Sequence, residues 1–127
     1  MCSSDLHEAL RGVLEEGLDA RFARHAEAGA YLQEKVRERG LDLLADPEYQ
    51  LAQLTAVRVP EGVDGKEVQD RVLREHDIEI GGGLGPDAPA MWRIGLMCRN
   101  ASVETADRVL GALDAVLAGE RAPAMAT

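Results

Sequence analysis

Asp77-Ile78-Glu79-Ile80-Gly81-Gly82-Gly83-Leu84-Gly85-Pro86 and, shortly after it, Met91-Trp92-Arg93-Ile94-Gly95-Leu96-Met97 decide how the rest of the chain reads. The first segment runs as a short strand into a glycine-rich loop with a proline, and the second leaves that loop as an apolar strand. Arg93 stands inside the second strand, between Trp92 and Ile94. A guanidinium keeps its proton, so an arginine in an apolar strand is costly unless an anion or a dense set of acceptors meets it. Two readings are open. Arg93 pairs with one of the chain's own carboxylates or carbonyls, or its fork takes the carboxylate of a small molecule.

The glycines invite a phosphate-loop reading, and the spacing refuses it. G-x-G-x-x-G would need a further glycine at Pro86 or Ala88, and G-x-x-x-x-G-K-[ST] has no match. The loop also lies between two β segments, so no helix dipole points at an anion there. It is either a turn with positive φ angles or a flap whose backbone approaches a ligand closely.

Upstream, apolar residues at Leu10, Val13, Leu14, Leu18, Phe22, Leu32 and Val36 recur at three- and four-residue steps, with His25 on the same side. They predict a helix over 7–39, stopped by Gly40 after the basic residues of its last turn. At about 1.5 Å per residue it would exceed about 45 Å, too long for a compact domain unless it bridges two bodies or bends at Gly17 or Gly29. His25 reads as a core or interface histidine. Segment 41–45 is a weak strand, Asp46-Pro47 turns the chain, and 54–59 alternates as a half-buried strand ending at Pro60. Asp64 with Glu67 forms a capping box opening a helix to about His76, with Val68, Val72 and Leu73 inward. After the two motif strands, Ser102 caps a last helix from Val103 to Leu117, with Ala106, Val109, Leu110, Leu113 and Val116 inward and Gly119 as its end. Residues from 120 onward read as a disordered tail. The order is a long helix, a weak strand, then β-α-β-β-α, which makes an α+β two-layer sandwich.

Composition narrows the function classes. The chain has 127 residues, enough for one core, and a net charge of −9 with no basic stripe, which argues against nucleic acid. No window reaches the roughly 18 apolar residues of a membrane span. Cys2 and Cys98 make no disulfide framework, and neither they nor His7, His25 and His76 sit at metal-ligand spacing. The cysteine usage suits a reducing cytoplasm. Met1-Cys2-Ser3-Ser4-Asp5-Leu6 matches the translation, from a GTG start, of a sequencing adapter, so residues 1–6 are expected to be an artefact; the alternative is a helix start capped by Ser4 or Asp5.

The "IEIGGGLGP" and "WRIGLM" segments, in that order and spacing, resemble the C-terminal small domain of class V pyridoxal-phosphate aminotransferases of fold type I, in the alanine–glyoxylate / serine–pyruvate branch. The similarity runs from about His7 to Leu117. The resemblance implies that Arg93 binds the substrate carboxylate, and that Gly82, Gly83 and Leu84 form an active-site loop beside it. It implies transfer of an amino group from a small amino acid (alanine or serine) to glyoxylate or a similar 2-oxo acid, with pyridoxal 5'-phosphate held by a homodimer. It also implies that 7–39 bridges from a missing large domain and that 40–119 is the small domain. The Schiff-base lysine and phosphate cup of such enzymes belong to that large domain. Lys35, in "EKVRERG", and Lys66, at a solvated helix start, lack the desolvated setting that makes a lysine nucleophilic. No catalytic, cofactor or metal residue is therefore expected in the chain itself. Cys98 departs from the family pattern, which puts a glycine there, and puts the turn after "RIGLM" in doubt if it needs a positive φ. The rival reading is a stand-alone carboxylate-binding regulatory or dimerisation module.

Overall fold

The computed structural model describes residues 3–121. Cys2 and the end of the expected tail, 122–127, lie outside the described residues. Its helices and strands are α1 (Ser3–Glu16), α2 (Leu18–Glu38), β1 (Leu54–Arg58), α3 (Gly65–His76), β2 (Met91–Gly95) and α4 (Val103–Arg121). Short 3-10 turns lie at Pro47–Tyr49 and Cys98–Asn100.

The two strands pair antiparallel, with Val57 opposite Trp92, Ala56 opposite Arg93 and Thr55 opposite Ile94. Alternation then fixes the two faces of the sheet. Thr55, Val57, Trp92 and Ile94 are buried in the core, while Leu54, Ala56, Met91 and Arg93 are half-buried on the opposite face and Arg58 and Gly95 are exposed there. Helices α2, α3 and α4 cover the inner face with Ala28, Leu32, Val36, Val68, Val72, Leu110, Leu113 and Val116. This is the α+β arrangement expected, with helices on one layer and strands on the other.

Local signals account for two of the helices. The Asp64 side chain accepts from the backbone N–H groups of Lys66 and Glu67, satisfying donors that the first turn leaves open. Ser102 Oγ accepts from the Thr105 N–H at 3.1 Å and does the same for α4. All five residues expected inward on α4 are buried, and Leu117 joins them. Gly119 does not end that helix, which continues to Arg121. Leu73 on α3 is exposed rather than inward.

Other expectations are corrected. The expected 7–39 helix is two helices, because Gly17 at φ 83 takes a left-handed conformation that breaks the α ladder. Gly29 stays helical. The strand expected at 77–80 reduces to one bridge, Gly81 to Arg93, and that at 41–45 to one bridge, Leu43 to Val57. Asp77 at φ 55 closes α3 with Asp77 N–H on Leu73 O and Ile78 N–H on Val72 O, a left-handed cap that turns the chain before it can extend as a strand. The buried core also draws on α2, from Ala28 through Leu32 to Val36.

Along α1 and the start of α2, Leu6, Leu10, Leu14, Leu18 and Phe22 are exposed, Leu14 at 82%. No residue of α1 is buried. A continuous apolar stripe of this kind drives association. The isolated chain is expected to self-associate with rising concentration in sedimentation velocity, and Leu14→Glu to reduce this. A monomer at high concentration would contradict the expectation.

Candidate carboxylate site

Arg93 reaches its position through backbone pairing on both sides of β2. Its N–H donates to Gly81 O at 2.8 Å and its carbonyl accepts from the Gly81 N–H at 2.9 Å. The side chain folds back over the same arm, and Nε donates to Gly82 O at 2.6 Å. A Cβ on Gly81 would stand 3.3 Å from Arg93 Nη2 and 3.5 Å from Nε, so a glycine there lets the guanidinium lie against the backbone. No hydrogen bond or ion pair engages Nη1 or Nη2 among the described residues. The fork is held at its base by one carbonyl and open at its tip.

The cost attached to an arginine in an apolar strand is smaller than the sequence suggests. Arg93 lies on the uncovered face of the sheet, half-buried, with the small Ala56 opposite it. The first reading is met only in part: among the described residues the internal acceptor is a single carbonyl, and no carboxylate pairs with the guanidinium. By strand alternation Arg58 lies on the same face, and it too forms no ion pair among the described residues.

The glycine loop divides by position. Gly82 meets both Arg93 and Gln69: a Cβ there would come within 3.0 Å of Gln69 Oε1. Gly83 packs instead on the next turn, where a Cβ would come within 2.7 Å of the Ala88 side chain. Leu84 is 75% exposed. Only Gly85, at φ 82, uses the left-handed freedom of glycine in this loop. Close approach explains Gly81, Gly82 and Gly83, and turn conformation explains Gly85.

A second cluster, not singled out as a site by its sequence, joins α2 to the turn after β2. Arg24 donates to both oxygens of Glu16 across the Gly17 break, and its Nη1 also donates to Cys98 O at 2.6 Å and Ala101 O at 2.9 Å. The Arg24 fork holds the Glu16 carboxyl below the usual carboxylate range. The Cys98 N–H donates to His25 Nε2 at 3.1 Å, while His25 Nδ1 lies 2.8 Å from Arg21 O. Nδ1 therefore carries the proton and His25 acts as an interface histidine. These bonds hold Cys98 at φ 57, the conformation in which a glycine would be unstrained. Cys98→Gly should raise stability by about 1 kcal/mol, read as a higher urea midpoint; a lower midpoint would contradict this.

The lysines do not fit a Schiff-base role. Lys35 pairs with Glu38 at 2.8 Å, and that carboxylate pushes its ammonium above the usual lysine range, the wrong direction for a nucleophilic amine. Lys66 is largely exposed and pairs with Asp70.

No family model matches the chain. Individual proteins do. It is 44% identical over 109 residues to the alanine–glyoxylate aminotransferase of Rattus norvegicus, a match covering 85% of this chain and 26% of that protein. The crystal structure of an alanine–glyoxylate aminotransferase from Nostoc sp. superposes with a TM-score of 0.83 at 47% identity, over 88% of this chain and 30% of that one. The ureidoglycine–glyoxylate aminotransferase of Bacillus subtilis superposes with a TM-score of 0.87 at 40% identity, over 93% of this chain and 30% of that one. An α+β unit with this sheet and these relatives is homologous to the C-terminal portion of aminotransferases. Within that class its relatives include the alanine–glyoxylate and ureidoglycine–glyoxylate enzymes, of whose length the chain spans under a third.

Proposed function

We propose that this chain is the carboxylate-binding small domain of a class V, pyridoxal-phosphate-dependent aminotransferase. The whole enzyme moves an amino group from a small amino acid, alanine or serine, to glyoxylate or a similar 2-oxo acid, as a homodimer in the cytoplasm. The observation that carries this reading is the Arg93 fork, fixed through Nε to Gly82 O with both Nη groups open. Planar, paired N–H donors match a carboxylate in geometry and charge. Holding the carboxylate leaves the substrate's amino or oxo carbon as the free end and fixes its direction, so a bimolecular encounter becomes a positioned one. The site faces outward from the uncovered side of the sheet, and a large domain would cover it and exclude water.

The lysines of this chain do not fit the cofactor, whose chemistry is that of an electron sink for the substrate's α-carbon. That step belongs to the large domain. The stripe along α1 and the start of α2 supports the same division: residues 7–39 bridge to that domain, and 40–119 with the end of α2 form the small domain. An exposed stripe of this length disfavours a self-sufficient regulatory module.

Two measurements on one preparation test the proposal. Incubated with pyridoxal phosphate and reduced with borohydride, the chain alone should show no stoichiometric adduct at Lys35 or Lys66. Grafted in place of the homologous segment of the rat enzyme, it should support alanine–glyoxylate transamination. A stoichiometric adduct with turnover by the chain alone, or a folded, cofactor-loaded chimera without activity, would overturn it.

A further inference from the structure

We infer that Gln69, on α3, is a positioning residue for the Arg93 fork, an inference that rests on the carboxylate reading above. The arm of 80–82 that carries the fork's anchor is held from two sides. On one side Gly81 exchanges both backbone hydrogen bonds with Arg93, and Gly82 O takes the Arg93 Nε–H. On the other side Gln69 Nε2 donates to Ile80 O at 3.0 Å, the only hydrogen bond that carbonyl accepts among the described residues. The Gln69 amide also fills the space beside Gly82, where a Cβ would come within 3.0 Å of its Oε1.

The arm has little else to fix it. It belongs to no strand, and on its far side the chain runs into the turn at Gly85. Ile80 is anchored in the core by its side chain, and the peptide plane it shares with Gly81 is held at one edge by the Gly81 N–H on Arg93 O and at the other by Gln69 on Ile80 O. An arginine with several rotatable bonds loses substantial freedom when its fork is aimed. One carbonyl in a fixed place supplies part of that ordering before the carboxylate arrives, which favours binding. Gln69 thus acts on the substrate through Gly82 and Arg93, without touching it.

The test uses the 127-residue chain with its arginine side chains labelled with 15N. In the unsubstituted chain the Arg93 Nε–H exchanges slowly with solvent, and its resonance shifts on titration with acetate but not with acetamide. Gln69→Met keeps the length of the side chain and removes the donor. It should speed Arg93 Nε–H exchange by about tenfold, the scale of one hydrogen bond, and raise the acetate needed for half the shift several-fold. The Trp92 indole N–H, bonded to Gly65 O at 3.0 Å, should keep its protection and report an intact core. Unchanged Arg93 exchange and acetate response in Gln69→Met would overturn the role of Gln69 and leave the carboxylate reading standing. Loss of protection at Trp92 as well as Arg93 would make Gln69 a general structural residue and overturn the inference. Absence of any acetate response in the unsubstituted chain would overturn the carboxylate reading and, with it, the inference.

Discussion

Arg93→Ala, made in the chimera that carries this chain in the rat enzyme, is expected to lower kcat/KM for alanine by about ten- to a hundred-fold or more. The magnitude follows from the bond removed. A hydrogen bond to a charged group contributes about 1.5–3 kcal/mol, and about 1.4 kcal/mol is a factor of ten. Two Nη donors are open in Arg93, so a bidentate contact can reach the upper end of that range. Arg93→Lys should lose activity too, because a point charge on a flexible stem cannot reproduce the fork. Cofactor content should survive both substitutions, since the lysines of this chain do not fit its Schiff base. Melting temperature should change little, because Arg93 forms no ion pair among the described residues and lies on the face of the sheet opposite the core. Joint loss of stability, cofactor and donor affinity would make Arg93 structural instead.

The second large effect concerns two glycines in helices, where one substitution has opposite signs. Alanine is favoured over glycine in a helix interior by about 1 kcal/mol. At Gly111, on α4, a Cβ meets nothing within 4 Å, so Gly111→Ala should gain most of that amount. At Gly29, on α2, a Cβ would lie 2.3 Å from Ala52 O and 2.8 Å from Ala52 Cα. Backbone cannot swing aside as a side-chain tip does, and overpacking of this kind costs about 1–3 kcal/mol, occasionally more. Steric cost wins over propensity, so Gly29→Ala should lower the melting temperature while Gly111→Ala raises it. A stabilised Gly29→Ala would contradict this close passage of α2 over Ala52.

Gly29 also shows where sequence reading stops. Gly17 and Gly29 were equal candidates for a bend, since both interrupt the same apolar periodicity. The structure bends at Gly17, where nothing crowds the glycine and its φ is 83. At Gly29 the missing side chain makes room for another part of the chain, a tertiary contact that no local pattern encodes. The expected strand at 77–80 fails for a related reason. Its alternation is real, but Asp77 ends α3 in a left-handed cap, and pairing with β2 begins only at Gly81. The apolar stripe over residues 6–22 was legible as periodicity, while its lack of cover depends on the partners present in space.

Short-range chemistry was read more fully. Asp64 and Ser102 cap the helices they were expected to cap, because capping depends on a few consecutive residues. Cys98 sits at the positive φ that its departure from a glycine pattern raised as a possibility. Gln69 escaped notice, since a glutamine on a charged helix carries no motif and gains meaning only from the glycine arm beside it.

The most direct measurement crosses the residue with the group it is held to bind. In the chimera, kcat/KM is measured for alanine and for alaninamide, with Arg93 intact and with Arg93→Ala. If Arg93 holds the substrate carboxylate, the intact chimera strongly prefers alanine, Arg93→Ala abolishes most of that preference, and the double change costs little more than either alone. If the preference for alanine is as large in Arg93→Ala as with Arg93 intact, the two losses are independent and Arg93 does not bind the carboxylate.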